Sequence, residues 1–361
     1  MKNEPAPSVQ RELVGRLRGR PAYWLILGTA WLCWGYLTMV IAAWLLLRLA
    51  ADRWWPVTPL LFGPRWLLGF PLLLLVPAAA ILRRKSLWPL LVASALLLGP
   101  IMQVCLPWGK STVANGPRLR VLTCNVNGPR LNSAALTALI AQISPDVVTL
   151  QEWEADSHVA WPSGWHVKHA GQLVLASRHP IESMTTSVRS LPPSEWPPVN
   201  SLYAVLRMPF GHIGVCCVHF LTPRQGLSKA LDRHTIISPS RSETLSSEID
   251  YRRTESKEVR QQLMRFGEPG VIAGDFNMPG DSNIFREFWT YYQDAFSAVG
   301  FGYGHTKYEP IRGWRYGIRI DHILSDEHWH PAHCWVGPDV GSDHLPLIAD
   351  LVWQGDALPT N

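Results

Sequence analysis

Six short stretches of this chain set a carboxylate, a carboxamide or an imidazole where an apolar run ends: RVLTCNVNG, TLQEWE, VCCVHFLTP, VIAGDFNMPGDS, RIDHIL and GSDHLPL. The side chains concerned are Asn125, Glu152, His219, Asp275 with Asn277, Asp321, and Asp343 with His344. Glu152 is a hard oxygen ligand of the kind Mg²⁺ prefers. Asp275 can bind metal or activate water, and the Asn277 amide can donate to an anion. Such a set suits phosphate-ester hydrolysis, where charge on phosphoryl oxygens is stabilised while water is held in line. Contact between Asp321 and His344 would orient the imidazole and raise its pKa. Taken alone, GDFN reads equally as turn chemistry, with Asp and Asn bonding their own backbone, and a satisfied strand-end histidine is the alternative for His219.

The elements that must position these groups are short. Arg118–Cys124, Pro145–Leu150, Leu173–Ser177, Gly270–Ala273, Ile318–Leu324 and Leu347–Val352 read as strands, and Tyr203–Met208 with His212–Val218 reads as a hairpin. Ser133–Gln142, Glu255–Arg265 and Ile284–Tyr292 have helical composition. Short strands mixed with a few helices indicate one α/β domain over residues 118–353, where strand ends can hold a site rigidly. Along an extended backbone Asp275 and Asn277 share a face, with Phe276 turned to the core. Pro223–Arg253, polar and rich in Ser, Thr and Arg, reads as either a substrate-setting segment or an ordinary surface loop.

The first 110 residues are of another kind. Ala22–Leu47 and Ser86–Gly109 carry no charge, and neither does Trp66–Leu82. A bilayer crossing needs about 20 apolar residues, so three transmembrane helices are expected, over 22–47, 63–82 and 87–108. Trp24, Trp54, Trp55, Trp66, Trp88 and Trp108 sit where an interfacial aromatic belt would place them. Arg11, Arg16, Arg18 and Arg20 in a 1–20 tail, and Arg83-Arg84-Lys85, would stay cytoplasmic. Three crossings then put the linker 111–117, the α/β domain and the tail 354–361 on the outer face of a cytoplasmic membrane. Residues 1–110 hold 12 Lys/Arg against 3 Asp/Glu; the whole chain is +5, so the remainder is −4. An acidic domain lacks a broad basic footprint for nucleic acid. Cys33, Cys105, Cys124, Cys216, Cys217 and Cys334 have no zinc-site spacing and read as buried thiols, with Cys216 and Cys217 on opposite faces of one strand.

The six motifs, in this order, resemble the endonuclease/exonuclease/phosphatase superfamily, over Arg118 to Val352. The resemblance implies a four-layered α-β-β-α sandwich whose site lies where strand ends of two sheets meet. It implies that Asn125 and Glu152 hold Mg²⁺, or Mn²⁺ in its place, with Asp343 close to the ion. Asp275 would orient or deprotonate water, Asn277 would bond the phosphate, His344 held by Asp321 would stabilise the phosphoryl group, and His219 would donate to it. Several members carry an acidic residue two places after the first asparagine, where this chain has Asn127, so one ion is expected. The arrangement of apolar segments before the domain resembles membrane-tethered bacterial members around the teicoplanin-resistance membrane proteins. It implies a lipid-linked phosphate substrate and membrane lipids as partners. The alternatives are an extracytoplasmic nuclease, with Arg224, Arg233, Arg241, Arg252, Arg253 and Arg260 as phosphate contacts, and a non-catalytic binding protein. Arg315 and Arg319 are further candidates for phosphate contact, and no obligate protein partner is expected.

Overall fold

The structure, a computed structural model, describes residues 21–107, 116–190, 197–232, 240–267, 270–311 and 313–354. It divides into two compact units, Met1–Leu46 with Arg65–Gln103, and Leu47–Pro64 with Val104–Asn361. In chain order the first helices are α1 (Pro21–Leu49), α2 (Thr58–Phe62), α3 (Phe70–Leu82) and α4 (Leu87–Leu96).

Two helical stretches, Tyr23–Leu49 and Arg65–Leu82, are long and apolar enough to cross a membrane. They leave large apolar side chains uncovered, among them Trp31, Leu74 and Ile81 at 72%, 77% and 82% exposure. The third expected span, 87–108, is shorter. α4 has 10 residues and passes into a 5-residue π turn, Leu97–Ile101. At roughly 1.5 Å per residue that is about 22 Å, against a hydrocarbon core of about 30 Å. The reason is Pro100, which lacks the N–H that would continue the ladder; the turn widens and Met102 N bonds Leu97 O instead.

The second unit is built on fourteen strands among the described residues. They are β1 (Arg118–Asn125), β2 (Val147–Gln151), β3 (His166–Ala170), β4 (Leu173–Ser177), β5 (Ile181–Val188), β6 (Val199–Met208) and β7 (Gly211–His219). After these come β8 (Val271–Asp275), β9 (Gln293–Asp294), β10 (Lys307–Ile311), β11 (Trp314–Ile318), β12 (Asp321–Ser325), β13 (Trp329–Val336) and β14 (Leu347–Trp353). One six-stranded sheet has the order β13-β14-β1-β2-β4-β3 and the other β5-β6-β7-β8-β12-β9; β10 and β11 form a separate hairpin.

Strand alternation sorts side chains into layers. Leu119 and Val121 of β1 join Cys217 of β7 and Ala273 of β8 in the core between the sheets. Leu122 and Cys124 point the other way, onto helix α5 (Ser133–Ile143). Cys216, Val218 and Ile272 face a third core made with α6 (Arg224–Leu231), α7 (Ser240–Phe266) and α8 (Asn283–Phe288). These are the four layers expected, and Cys216 and Cys217 do face opposite sides. All six cysteines are free thiols.

Pro223–Arg253 is helical on either side of residues 233–239, which lie outside the described residues. α7 buries Leu245, Ile249, Arg252, Ser256, Val259 and Leu263, an unbroken i+4/i+3 stripe. Two polar residues within that stripe conceal its period from an apolar-pattern reading.

Register places the chemistry. His219, Asp275 and Asp321 are aligned across β7, β8 and β12. Asn125 pairs with Gln151 across β1 and β2, and Glu152 follows directly. Parallel β7 and β8 come close enough at Gly274, φ +154°, that a Cβ there would lie 2.0 Å from Val218 O. Gly274→Ala is therefore expected to cost roughly 2–4 kcal/mol, through the backbone contact and the strained φ. A lowered thermal midpoint of the purified chain would show it; an unchanged midpoint would mean that the two strands have room to spread.

Candidate active site

The two sheets meet at one carboxamide. Asn125 Nδ2 donates to Glu152 Oε1 at 2.8 Å and to Asp275 Oδ2 at 3.0 Å, which joins the β2 end of one sheet to the β8 end of the other. The chain leaves three of these strand ends through left-handed backbone, at Asn127 (φ 44°), Glu152 (φ 55°) and Asn277 (φ 50°). Non-glycine residues in that region carry strain, and its concentration here marks a place where side-chain direction outweighs local comfort.

Asn277 does not continue the strand alternation. Its N–H donates to Asp275 Oδ1 at 2.8 Å, and its Nδ2 donates to Phe220 O at 2.9 Å and to Asp275 Oδ2 at 3.2 Å. The turn reading of GDFN is thus realised, with Asp275 accepting from the backbone two residues on. Asn277 supports Asp275 and ties it to the loop after β7, with its amide nitrogen already committed. Phe276 is fully buried among Phe220, Phe285 and Trp289, as the core anchor expected.

Asp275, Asp321 and His344 are buried together, with ligand atoms within 4.8 Å of one another. His344 Nδ1 lies 2.9 Å from Asp321 Oδ2, and its Nε2 lies 3.8 Å from Asp275 Oδ2. Burial pushes the Asp275 carboxyl up, the Asp321 charge pushes it further, and it reaches about 7. Burial alone would lower His344, but Asp321 and Asp275 outweigh it and the imidazolium is favoured. His219 goes the other way, down to about 4, because burial exceeds the help from Glu152. The site therefore holds a carboxyl whose proton moves near neutral pH and an imidazole that holds its proton more tightly than usual, beside a second imidazole that stays neutral. His219 Nε2 is buried without a hydrogen-bond partner, 3.6 Å from Glu152 Oε1 and 3.9 Å from Asp275 Oδ2.

Hard oxygen ligands for a divalent ion are present at Asn125 and Glu152. The Glu152 side chain is 37% exposed, and its hydrogen bond from Asn125 uses Oε1. The Asp275–Asp321–His344 group is close enough to share an ion, but its imidazole bonds Asp321 through Nδ1, and Mg²⁺ prefers oxygen. Asn125 turns Nδ2 to Glu152 while its Oδ1 accepts from Asn127 N at 3.1 Å, so the carboxamide would have to turn over for Asn125 and Glu152 to share an ion. Asp343 reaches the same end of the fold with both oxygens engaged, Oδ1 by Asn127 Nδ2 at 2.9 Å and Oδ2 by the Lys307 ammonium. Its burial would raise the carboxyl, but Asn127 and Lys307 hold it well below the usual range. Lys307, nearly buried at 4% exposure, carries no strand-end signal in the sequence, because it opens the β10–β11 hairpin rather than closing an apolar run.

Several arginines are elsewhere. Arg319, expected at the phosphate, is buried over the Phe296 ring and donates to Ser297 Oγ and Cys105 Sγ. Arg315 is exposed on the hairpin, 5.8 Å from the Tyr308 ring. Arg252 is fully buried, Arg253 pairs with Glu287, and Arg260 lies over Tyr291 and Tyr292. Arg224 is exposed, 3.1 Å from Glu309 and 4.0 Å from Asp343. Arg233 and the Arg241 side chain lie outside the described residues.

The Endonuclease/Exonuclease/phosphatase family profile matches residues 122–344. Among similar solved structures, a 3′-5′ exonuclease from Neisseria meningitidis is 21% identical, covering 65% of this chain and 100% of that one at a TM-score of 0.46. A family protein from Bacteroides thetaiotaomicron is 13% identical, with 67% and 100% covered and a TM-score of 0.48. D. rerio TDP2, complexed with a single-strand DNA product, is 17% identical, with 65% and 98% covered and a TM-score of 0.45. No curated protein matches the sequence significantly.

The electrostatics give a signed expectation for Asp321→Asn. Asp321 raises Asp275 as a like charge and raises His344 as an opposite one. Removing its charge lowers both, so both limbs of the pH profile of kcat/KM move to lower pH, and activity on the alkaline side falls roughly tenfold or more. Limbs that stay in place would take Asp275 and His344 out of proton transfer.

Proposed function

This chain belongs to the Endonuclease/Exonuclease/phosphatase family, and from that premise we propose that it is a membrane-anchored, Mg²⁺-dependent phosphoric ester hydrolase. It works at the outer face of a membrane on a lipid-linked phosphate or diphosphate. The observation that carries the hydrolase reading is the buried set of Asp275, His344 and His219, a carboxyl raised to about 7, an imidazole whose protonated form is favoured by Asp321 and an unpartnered ring nitrogen, beside Asn125 and Glu152. Burying such groups costs stability, and a protein that merely binds has no use for that cost.

The residues divide the work. Asp275 Oδ2, fixed by Asn125, accepts the proton of the attacking water and orients it. His344, turned by Asp321, presents Nε2 to the phosphoryl group, where it stabilises charge and can pass a proton to the leaving oxygen. His219 gives its unpartnered Nε2–H to a phosphoryl oxygen. Asn125 and Glu152 would hold one divalent ion, which supplies charge neutralisation on a phosphoryl oxygen. Asn277 keeps Asp275 in place.

Support for a membrane substrate comes from the apolar helices. The Arg65–Leu82 stretch is buried over 6% of its apolar window, unlike the core helix of a water-soluble protein. Anchoring raises the local concentration of lipid headgroups at the site, and the net charge of −4 after residue 110 suits a small phosphate better than a nucleic-acid backbone. A nuclease is the second reading, favoured by the exposed Arg224 guanidinium beside Asp343.

Purified full-length chain, assayed with Mg²⁺ and with chelator, separates these. The panel comprises single-stranded and duplex DNA, RNA, sphingomyelin, phosphatidylinositol and undecaprenyl diphosphate. Metal-dependent release of phosphate or headgroup from a lipid is expected, and turnover confined to nucleic acid would replace the lipid reading with the nuclease one. Asp275→Ala is expected to lower turnover roughly 10²–10⁴-fold with the fold intact. Glu152→Gln is expected to shift the Mg²⁺ titration to higher concentration; an unchanged titration would move the ion elsewhere.

A further inference from the structure

The loop that carries Asp275 is gripped from behind by residues with no part in the chemistry above. Between α1 and Arg65 the chain forms a strap, Leu47–Pro64, that belongs to the same compact unit as the sheets. Ala51, Asp52, Thr58 and Leu61 are fully buried in it, and Trp55 packs against the core under α7. A buried carboxylate needs partners. Those of Asp52 are Ser282 Oγ, on Oδ2, and Asn283 N, on Oδ1 at 2.7 Å, the point where the Asp275 loop ends and α8 begins.

The near end of the same loop is held by Arg252. Its guanidinium is fully buried, with Nη2 donating to Asn277 O at 2.7 Å and Nε donating to Leu221 O at 3.1 Å. The Phe62 ring of the strap lies 5.3 Å from its Cζ. Burial disfavours this cation, and Asp52, Glu248 and Glu255 offset part of that cost. Glu255, one turn along α7, accepts from Leu221 N at 2.8 Å, so both backbone groups of Leu221 are tied to the helix two residues beyond His219. A planar fork reaching two carbonyls fixes the separation of two loops. For packing alone an aliphatic side chain would serve at lower desolvation cost.

We propose that Arg252 is a positioning residue for the reaction, and that the strap, through Asp52 and Phe62, is a working part of the catalytic unit. Arg252 sets where Asp275 and His219 stand relative to each other, and Asp52 fixes the far end of the loop. This rests on the hydrolase reading above.

The test uses the full-length chain in detergent with Mg²⁺ and bis(p-nitrophenyl) phosphate as substrate. Arg252→Met is expected to lower kcat about 10²-fold, the scale of a misplacement of about 1 Å, with KM and the Mg²⁺ midpoint little changed. Arg252→Lys recovers part of that loss. Asp52→Asn lowers kcat about tenfold, and the Asp52→Asn/Arg252→Met double variant is no worse than Arg252→Met alone, because both act on one loop. Amide exchange at Asn277–Asn283 quickens in both single variants, while the amides of β1 are unaffected. A lowered thermal midpoint with kcat retained, or unchanged exchange in the loop, overturns the proposal. If the native chain hydrolyses nothing, the hydrolase reading fails, and the exchange measurement still decides whether Arg252 and the strap hold the loop.

Discussion

The Asn125 carboxamide spans the gap between two sheets that have separate backbone ladders. Its nitrogen bonds Glu152 on one side and Asp275 on the other, so one neutral group separates and fixes two carboxylates. Each bond has an ionisable acceptor and is stronger than a neutral one. The geometry of the site depends on this bridge because, apart from weak sulfur contacts of Cys217 with Gln151 and Leu150, the sheets face each other there through apolar packing, which resists separation but is not directional. Without it the Glu152 and Asp275 ends could slide relative to each other by the small distances that matter most for proton transfer.

Around the bridge the protein tolerates what a stable core would avoid. Asp275, Asp321, His219 and His344 are almost completely buried, and three neighbouring residues hold left-handed backbone. The strands supply the compensation. His219, Asp275 and Asp321 occupy one register row across β7, β8 and β12, where ladder hydrogen bonds fix each Cα before any side chain is placed. Desolvation then does useful work. It pushes the Asp275 carboxyl and the His219 imidazole in opposite directions, while the Asp321 charge keeps the His344 proton in place. Similar side chains thus acquire different protonation states from position alone.

How far the sequence could be read follows from burial. The central strands β1, β2, β4, β7 and β8 are nearly continuous apolar runs, buried on both faces, and they announced themselves along with the polar residue ending most of them. The edge strands β3 and β5 are largely exposed and polar, and they left no apolar signal to find. α7 was hidden differently. Arg252 and Ser256 sit within its buried stripe, so a residue that resembled a surface phosphate contact proved to be part of the interior. The strap was invisible for a related reason, since Trp54 and Trp55 read as the interfacial belt of a membrane segment. What pairs with a buried polar group is decided by chain far away in sequence, and here that distance runs from Asp52 to Ser282.

Asp343 shows how one such distant partner changes the chemistry inferred from a motif. A carboxylate near the cleft reads as a place for a metal, and a second carboxylate at position 127 would have doubled the negative charge there. Asn127 instead offers an amide to Asp343 Oδ1, and Lys307 brings a nearly buried ammonium to Oδ2. With Glu309 Oε1 3.9 Å from Lys307 and Arg224 4.0 Å from Asp343, two carboxylates there already face two cations. A divalent ion at Asp343 would have to displace Lys307 from its nearest partner and place further positive charge beside a nearly buried ammonium. The Glu152 side chain is 37% exposed and takes the Asn125 hydrogen bond on Oε1. An ion taken up at this end of the fold would therefore meet less opposing positive charge at Glu152 than at Asp343, where Lys307 is the fixed counter-charge.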